Sequence, residues 1–210
     1  MAVAALALVA ITVSACGGSP STNAPPARRS PATVILRSAG RAMARAANFT
    51  FAATVVTHGT TTKVHGQFQA PDRDHLIVSN AGGVATELLL VGTKAFIRAA
   101  DGSWQSQPSA AAAPSDPRGA FGILTSATDV RAAAKQADGT RYRFVVPASA
   151  ARVIVQSDKA GPATSLTGTA LVTANSIADL TLTDPGGTFA ADIAYSAIGL
   201  TSPIPVPPGT

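Results

Sequence analysis

The chain has a single cysteine, a single glutamate and few aromatic residues. One cysteine among 210 residues excludes an intramolecular disulfide, so the fold must rest on its own apolar core. Because Glu87 is the only glutamate, a pair of catalytic carboxylates would have to be aspartates. Asp101, Asp138 and Asp184 instead stand beside glycine or proline, which is typical of turns. These shortages argue against acid–base catalysis by two carboxylates.

Sequence motifs of metal, nucleotide and hydrolase sites are also missing. His58 lies at a turn, His65 on the polar side of its strand and His75 beside charged residues, so none of them stands in a metal-ligand spacing. The chain has no G-x-S-x-G, phosphate-binding or dinucleotide-binding motif. We therefore predict a protein that is not an enzyme and that uses no cofactor or metal.

Charge is sparse but one-sided, with 16 Lys and Arg against 11 Asp and Glu and a net charge of +5. A basic balance suits either nucleic acid or an anionic membrane surface as the partner. The N-terminal segment indicates export, and an exported protein meets the membrane rather than nucleic acid. We therefore predict a membrane-surface partner and no nucleic acid.

The N-terminal residues have the pattern of an export signal that ends at the single cysteine. Residues 2–13 contain no charge, proline or glycine, and about a dozen apolar residues are too few to cross a bilayer of roughly 30 Å. The next residues resemble the bacterial lipobox, with a branched apolar residue and two small ones before an invariant cysteine: Val13, Ser14, Ala15 and Cys16. The resemblance implies that residues 1–15 are removed and that Cys16 becomes a lipidated N-terminus. The protein would then be anchored at the extracytoplasmic face of the cell membrane.

A tether and an amphipathic helix follow the cysteine. Residues 16–32 are rich in Gly, Ser and Pro and cannot bury enough apolar surface to order themselves. Apolar residues at spacings of three and four then predict a helix over Thr33–Asn48 whose core face is Ile35, Ala39, Ala42, Met43 and Ala46. Every fourth residue of this helix is basic, at Arg37, Arg41 and Arg45. This stripe is predicted either to bind anionic headgroups or to be an ordinary solvated face.

Beyond residue 48 the apolar period falls to two, which predicts an antiparallel meander of β-strands. The first strands are predicted at residues 49–56, 63–69, 74–80, 86–92 and 94–100, with a turn at His58–Gly59 between the first two. Residues 107–119 are predicted as a proline-containing loop, and residues 119–130 as a helix of two turns at most.

The C-terminal third of the chain continues the strand pattern. Residues 129–147 predict a hairpin around Asp138–Gly139, and residues 148–156 a short helix. Three further strands are predicted within residues 165–198. The proline-rich end is predicted to leave the sheet along an edge, because proline cannot donate to a central strand.

The order of these elements resembles the actinobacterial lipoproteins of the LppX and LprG type and, more loosely, the LolA and LolB carriers. The resemblance extends from the lipobox to the late strands and covers nearly all of the mature chain. It implies an α+β fold in which a strongly curved antiparallel sheet, a half β-barrel, has helices covering its concave face. It also implies a single domain over residues 33–210 with an apolar cavity for the acyl chains of a lipid or glycolipid, and a membrane exporter as a partner.

Small residues at positions predicted to face inward, such as Ala53, Gly66 and Ala170, favour a cavity over a solid core. A dry apolar void of this kind accepts hydrocarbon. The alternative is that the same small residues allow helix and sheet to approach closely. The predicted lining residues, each of which would equally serve an ordinary core, are Phe51, Val55, Phe68, Leu88, Leu90, Phe96, Phe121, Ile123, Leu180, Leu182 and Ile193.

Two functions are consistent with this sequence. The first is a monomeric, membrane-anchored envelope lipoprotein that binds or transfers lipid acyl chains. The second is a structural or protein-interaction lipoprotein with a filled core and no ligand. We favour the first function, because small interior residues and a lipobox occur in the same chain.

Overall fold

The computed structural model describes residues 30–80, 82–83, 85–107, 118–152 and 164–207. Its helices are α1 (Pro31–Ala44), α2 (Gly119–Thr125) and α3 (Ala148–Ala151). Its strands are β1 (Asn48–Thr57), β2 (Thr60–Gln69), β3 (Arg73–Asn80), β4 (Thr86–Val91), β5 (Lys94–Arg98), β6 (Trp104–Gln107), β7 (Thr128–Lys135), β8 (Thr140–Val146), β9 (Leu166–Thr173), β10 (Ser176–Thr183) and β11 (Phe189–Ser196). The export signal, Cys16 and most of the predicted tether lie outside the described residues.

All of these strands belong to one antiparallel sheet with the order β6-β5-β4-β3-β2-β1-β11-β10-β9-β8-β7. Consecutive strands are neighbours in the sheet within β1–β6 and within β7–β11, and β1 joins these two halves by pairing with β11. In the described part of the chain β6 and β7 are the two edges, so the sheet is open. The predicted meander is confirmed, and the open sheet is consistent with a half-barrel. A concave face covered by helices stays a prediction.

Turn chemistry explains why the first hairpin forms where the sequence predicts it. His58 and Gly59, between β1 and β2, have φ values of 49° and 78°. A two-residue hairpin turn that matches the strand twist needs positive φ at both positions, and glycine adopts it without steric cost. The turn fixes the register of β1 on β2, with Phe51 opposite Gly66. Every side chain farther along the two strands is thereby assigned to a face.

Helix α1 begins earlier than predicted, inside the predicted tether. Ser30 precedes the helix, and its hydroxyl accepts a hydrogen bond from the backbone N–H of Thr33 at 3.3 Å. Pro31 occupies the first helical position, where its missing N–H costs nothing. The helix ends at Ala44 rather than near residue 48. No helix among the described residues is long and apolar enough to cross a membrane.

The face that α1 buries agrees only in part with the predicted one, since Ala39 and Met43 are buried as predicted. Its buried residues are Leu36, Ala39, Gly40 and Met43, whereas Ile35 and Ala42, predicted to face the core, are exposed. Gly40 lies inside because α2 approaches it closely. A Cβ at this position would lie 3.0 Å from the Cβ of Leu124, so a larger residue would push the two helices apart.

Antiparallel register divides the sheet into two faces, because directly paired residues point the same way. The face that carries the main core, which we call the core face, packs against α1 along β7, β9 and β10. Phe49 is fully buried there, with ring centroids 5.1 Å from Phe68, 5.9 Å from Phe121 and 5.8 Å from Tyr195. We call the other side of the sheet the outer face.

The proline-rich end does not leave along an edge, as the sequence predicts, because β11 lies in the middle of the sheet. After β11 the chain crosses the outer face of β1, β2 and β3. Side-chain groups hold it there: the N–H of Thr201 donates to Asn48 Oδ1 at 3.1 Å, and the N–H of Ile204 donates to Gln69 Oε1 at 2.7 Å. Ile204 then packs against Leu89 and Phe96 in a second, small apolar cluster. Bonds to side chains suit a segment whose prolines cannot join a ladder.

We expect Ile204→Ala to lower the free energy of unfolding by about 2–3 kcal/mol, because it removes the centre of this buried cluster. Val206→Ala is the matched control, since Val206 is 38% exposed in the same segment and should cost less than about 0.5 kcal/mol. Urea denaturation of both variants measures the difference. Equal losses would mean that Ile204 does not pin the C-terminal segment to the sheet.

Candidate functional site

The core face has a half that α1 leaves only partly covered. On β1–β5 the register brings together six half-buried apolar residues, which we call the apolar strip: Phe51, Val64, Leu76, Val78, Leu88 and Ile97. Adjacent strands lie about 4.8 Å apart, so the strip is about 19 Å wide. Its six side chains carry no polar atom. The strip is therefore a continuous apolar surface that is partly exposed to solvent.

The rest of the core face is filled. Phe144, Leu180 and Leu182 are buried there against the side of the sheet that α1 covers. At Gly168 in this half, larger neighbouring side chains occupy the space that a side chain would take. A Cβ on Gly168 would lie 2.6 Å from the ring of Phe144, its partner across the strands.

At the edge of the apolar strip, another aromatic ring covers a glycine on the neighbouring strand. The ring of Phe51 lies over Gly66, its cross-strand partner, and a Cβ on Gly66 would also lie 2.8 Å from a methyl carbon of Leu76. Aromatic rings commonly cover glycines in this way. The side chains of Phe51 and Leu76 therefore fill the space beside Gly66, and they form one continuous apolar surface there. At this position the glycine makes the apolar strip smooth and does not create a cavity.

Polar groups bound the strip at both of its ends. At the turn end, the hydroxyl of Thr62 donates to Asn80 Oδ1 at 2.8 Å. At the other end, Asp74 is only 4% exposed and pairs across the strands with Phe68. The guanidinium of Arg118 lies 4.8 Å above the Phe68 ring and donates to the carbonyl of Pro71 at 3.2 Å. The apolar surface is thus enclosed between two polar borders.

Tyr195 continues the strip onto β11, where it pairs with Phe51. Burial raises the pKa of the Tyr195 hydroxyl well above its ordinary range. The phenol therefore stays neutral at every physiological pH. No ionised group of Tyr195 opposes an apolar ligand beside it.

The eleven residues predicted to line a cavity divide into three groups in the structure. Six are buried in apolar core: Phe68, Leu90, Phe121, Ile123, Leu180 and Leu182. Four are half-buried on the core face: Phe51, Val55, Leu88 and Ile193. Phe96 does not share a face with the others, because it pairs with Leu89 on the outer face and contacts Ile204. In a strand, a displacement of one residue moves a side chain to the opposite face.

Sequence analysis missed four members of the apolar strip: Val64, Leu76, Val78 and Ile97. The signal was present in the His58–Gly59 turn, which sets Phe51 opposite Gly66. The register of β3 then places Leu76 on the same row. That turn is sufficient to place Val64 on the core face, whereas Leu76, Val78 and Ile97 also depend on the registers of the later hairpins.

The predicted basic stripe of α1 is split by the structure. Arg37 is half-buried, and its guanidinium donates to the carbonyl of Ala127 at 3.1 Å, so it ties α1 to the segment between α2 and β7. Arg41 and Arg45 are exposed. The stripe thus offers two side chains to solvent and one to the interior.

The outer face carries a separate groove of about 380 Å³, whose floor includes Ala52 and Ala194 and whose walls include His65, His75 and Ile77. His75 Nε2 lies 2.7 Å from Glu87 Oε1, and this pair is partly exposed. Among the described residues, no group of three or more His, Cys, Asp or Glu side chains is placed to bind a metal ion. The groove is shallow, mixed in polarity and on the face away from the apolar strip.

Comparison with known proteins identifies the fold. Neither family models nor curated proteins match the chain. The structure of LprF from Mycobacterium bovis superposes with a TM-score of 0.64 at 15% identity, over 85% of this chain and 97% of LprF. The Mycobacterium tuberculosis lipoprotein LppX gives a TM-score of 0.64 at 12% identity, over 83% of this chain and 98% of LppX. The predicted resemblance is confirmed at the level of architecture, and the chain has the fold of these mycobacterial lipoproteins.

Proposed function

We propose that this protein is a membrane-anchored lipoprotein of the cell envelope that binds the acyl chains of a lipid or glycolipid. The observation that carries the proposal is the apolar strip on the core face of β1–β5, six half-buried side chains without a polar atom. A soluble domain rarely leaves a continuous apolar surface without a partner for it. The fold shared with LprF and with the lipoprotein LppX supports the same assignment.

The energetics suit a reversible carrier. Each CH2 moved from water onto an apolar surface contributes about 0.8 kcal/mol. A bilayer offers the same acyl chain an equally apolar environment, so the net free energy of transfer from membrane to protein is close to zero. A half-covered strip binds less tightly than a closed cavity, which favours release. The protein would then act by exchange with the membrane rather than by retaining its ligand.

The polar borders of the strip suggest how the ligand lies. An acyl chain would cover Leu76, Val78 and Leu88, and its headgroup would remain in water beside Thr62 and Asn80. No step in this function requires a catalytic group or a metal. Lipidation of Cys16 would hold the domain beside its source of ligand, and a membrane exporter would be a natural partner.

We expect purified protein to carry lipid in about equimolar amount. The full chain is purified in mild detergent, extracted with organic solvent and analysed by mass spectrometry, which separates bound lipid from the covalent anchor on the N-terminal peptide. An anchored lipoprotein with an unrelated domain, purified in parallel, measures the background. Lipid at the background level would contradict the proposal and favour the alternative of a structural or interaction lipoprotein.

A further inference from the structure

Helix α1 exposes an arc that combines apolar and basic side chains. Val34 is 54% exposed and Ile35 is 42% exposed, although both are branched aliphatic residues. Arg41 and Arg45 are exposed on the following turns. The helix contains no acidic residue at all. We call the exposed residues Val34, Ile35, Ser38, Arg41 and Arg45 the α1 arc.

Helical spacing places these side chains on one side of α1. Residues 34, 38, 41 and 45 follow each other at intervals of four, three and four, which brings them onto a single face. Leu36 and Met43 point the other way, into the core. Arg37 does not belong to the arc, because its guanidinium is bound to Ala127. The arc is therefore a surface separate from the apolar strip and from the core.

We infer that the α1 arc docks the domain on an anionic lipid bilayer. An interfacial helix of this kind lowers its apolar side chains into the headgroup boundary while its basic side chains contact lipid phosphates. The arc has both parts: Val34 and Ile35 near its first turn, and Arg41 and Arg45 near its last. The absence of acidic side chains on α1 removes repulsion from the anionic surface.

The chain that precedes α1 supports this occupant over others. Only residues 17–29 and Ser30 separate Cys16 from the start of the helix. The tether predicted from the sequence would span about 20 Å on average, so an anchor at Cys16 would keep the first turn of α1 close to the bilayer. In this respect the inference rests on the anchor in the proposed function. The anchor alone fixes only the distance of the domain from the membrane. Docking would also fix its orientation, because the α1 arc would face the bilayer.

The test measures how close α1 lies to the bilayer when the full, lipidated chain is anchored in lipid vesicles. Lipidation blocks the thiol of Cys16, so a Ser38→Cys variant accepts a single bimane label in the middle of the arc. Nitroxide-labelled lipids quench bimane that lies at the membrane boundary. We expect strong quenching in vesicles of phosphatidylcholine with phosphatidylglycerol, and weak quenching in phosphatidylcholine alone. A label at Ser106→Cys, exposed on β6, should remain unquenched in both.

Two double variants, each with a matched control, then test the chemistry. Arg41→Gln with Arg45→Gln should lower the ratio of docked to undocked protein about thirty-fold, because each basic charge lost near the headgroups costs roughly a factor of five. Lys63→Gln with Lys94→Gln removes the same charge from exposed sites on β2 and β5 and should leave the ratio unchanged. Val34→Ser with Ile35→Ser should also reduce docking, whereas Leu200→Ser, at a residue 83% exposed outside α1, should not.

Equal quenching of the labels at residues 38 and 106 would overturn the inference, and so would quenching that neither double variant alters. Failure of the anchor is a distinct outcome, because mass spectrometry of the N-terminal peptide would then find no lipid on Cys16. In that case the label at Ser38→Cys is measured with Cys16→Ser on protein added to the same vesicles. Quenching by anionic vesicles would still support docking, and its absence would refute it.

Discussion

Leu76→Asp is expected to reduce bound lipid by more than about tenfold, because a carboxylate in an apolar contact surface is costly unless it is paired. Leu76 lies at the centre of the apolar strip, between Gly66 on β2 and Leu88 on β4. A charge there would keep its water and would hold acyl chains away from both neighbouring strands. Lipid extraction and mass spectrometry of the purified variant give the result directly.

Ile77→Asp is the matched control for this prediction. Ile77 is the next residue on the same strand, is 43% exposed and lies on the outer face. The same new charge should therefore leave the lipid content unchanged. Because Leu76→Asp also threatens the fold, Leu76→Gln and a thermal melt of each variant separate loss of binding from loss of structure. Equal lipid content in folded Leu76→Asp and Ile77→Asp would show that the strip does not bind the ligand.

Cys16→Ala is expected to move most of the protein from the membrane to the medium. A diacylglyceryl group on the cysteine sulfur supplies two acyl chains, and two chains hold a protein stably where a single chain binds only marginally. Without the thiol there is no acceptor for this group. Fractionation of expressing cells, with detection of the protein in membrane and medium, measures the shift.

A second variant makes this prediction independent of signal cleavage. In this variant, residues 17–210 are fused to a general secretory signal peptide. Cleavage of that signal leaves a protein with neither an apolar N-terminal run nor a lipid. Ser14→Ala, which keeps a small residue in the lipobox, should remain in the membrane. If the protein without its cysteine stayed quantitatively in the membrane fraction, the lipid anchor at Cys16 would be refuted. A small salt-sensitive fraction is compatible with release, because the docking inferred for the α1 arc would retain some protein that has no anchor.

Much of the secondary structure follows from local chemistry. The alternation of apolar residues predicts the strands, and the His58–Gly59 pair predicts the first turn, because both depend on neighbours along the chain. The hairpin around Asp138–Gly139 is likewise predicted although residue propensity there favours helix. In this second hairpin the turn residues carried more information than the intrinsic preference of the strand residues.

Positions that depend on distant partners are less well predicted. Ile35 and Leu36 are both apolar and adjacent, and the choice between them depends on where α2 meets Gly40. Phe96 was assigned to the cavity because it is large and apolar, whereas Ile204, more than a hundred residues later, gives it a partner on the outer face. The path of the C-terminal segment could not be predicted from its prolines, because they exclude a ladder without indicating which surface replaces it.

The sequence by itself determined that an antiparallel meander preceded by one helix would form, since period, turn residues and caps act over a few positions. It also predicts a lipobox that ends at Cys16. Only the tertiary structure decided which side of each strand is covered. Alternation separates two faces, but the packing of α1, α2 and the C-terminal segment determines which apolar residues become core and which remain as the apolar strip.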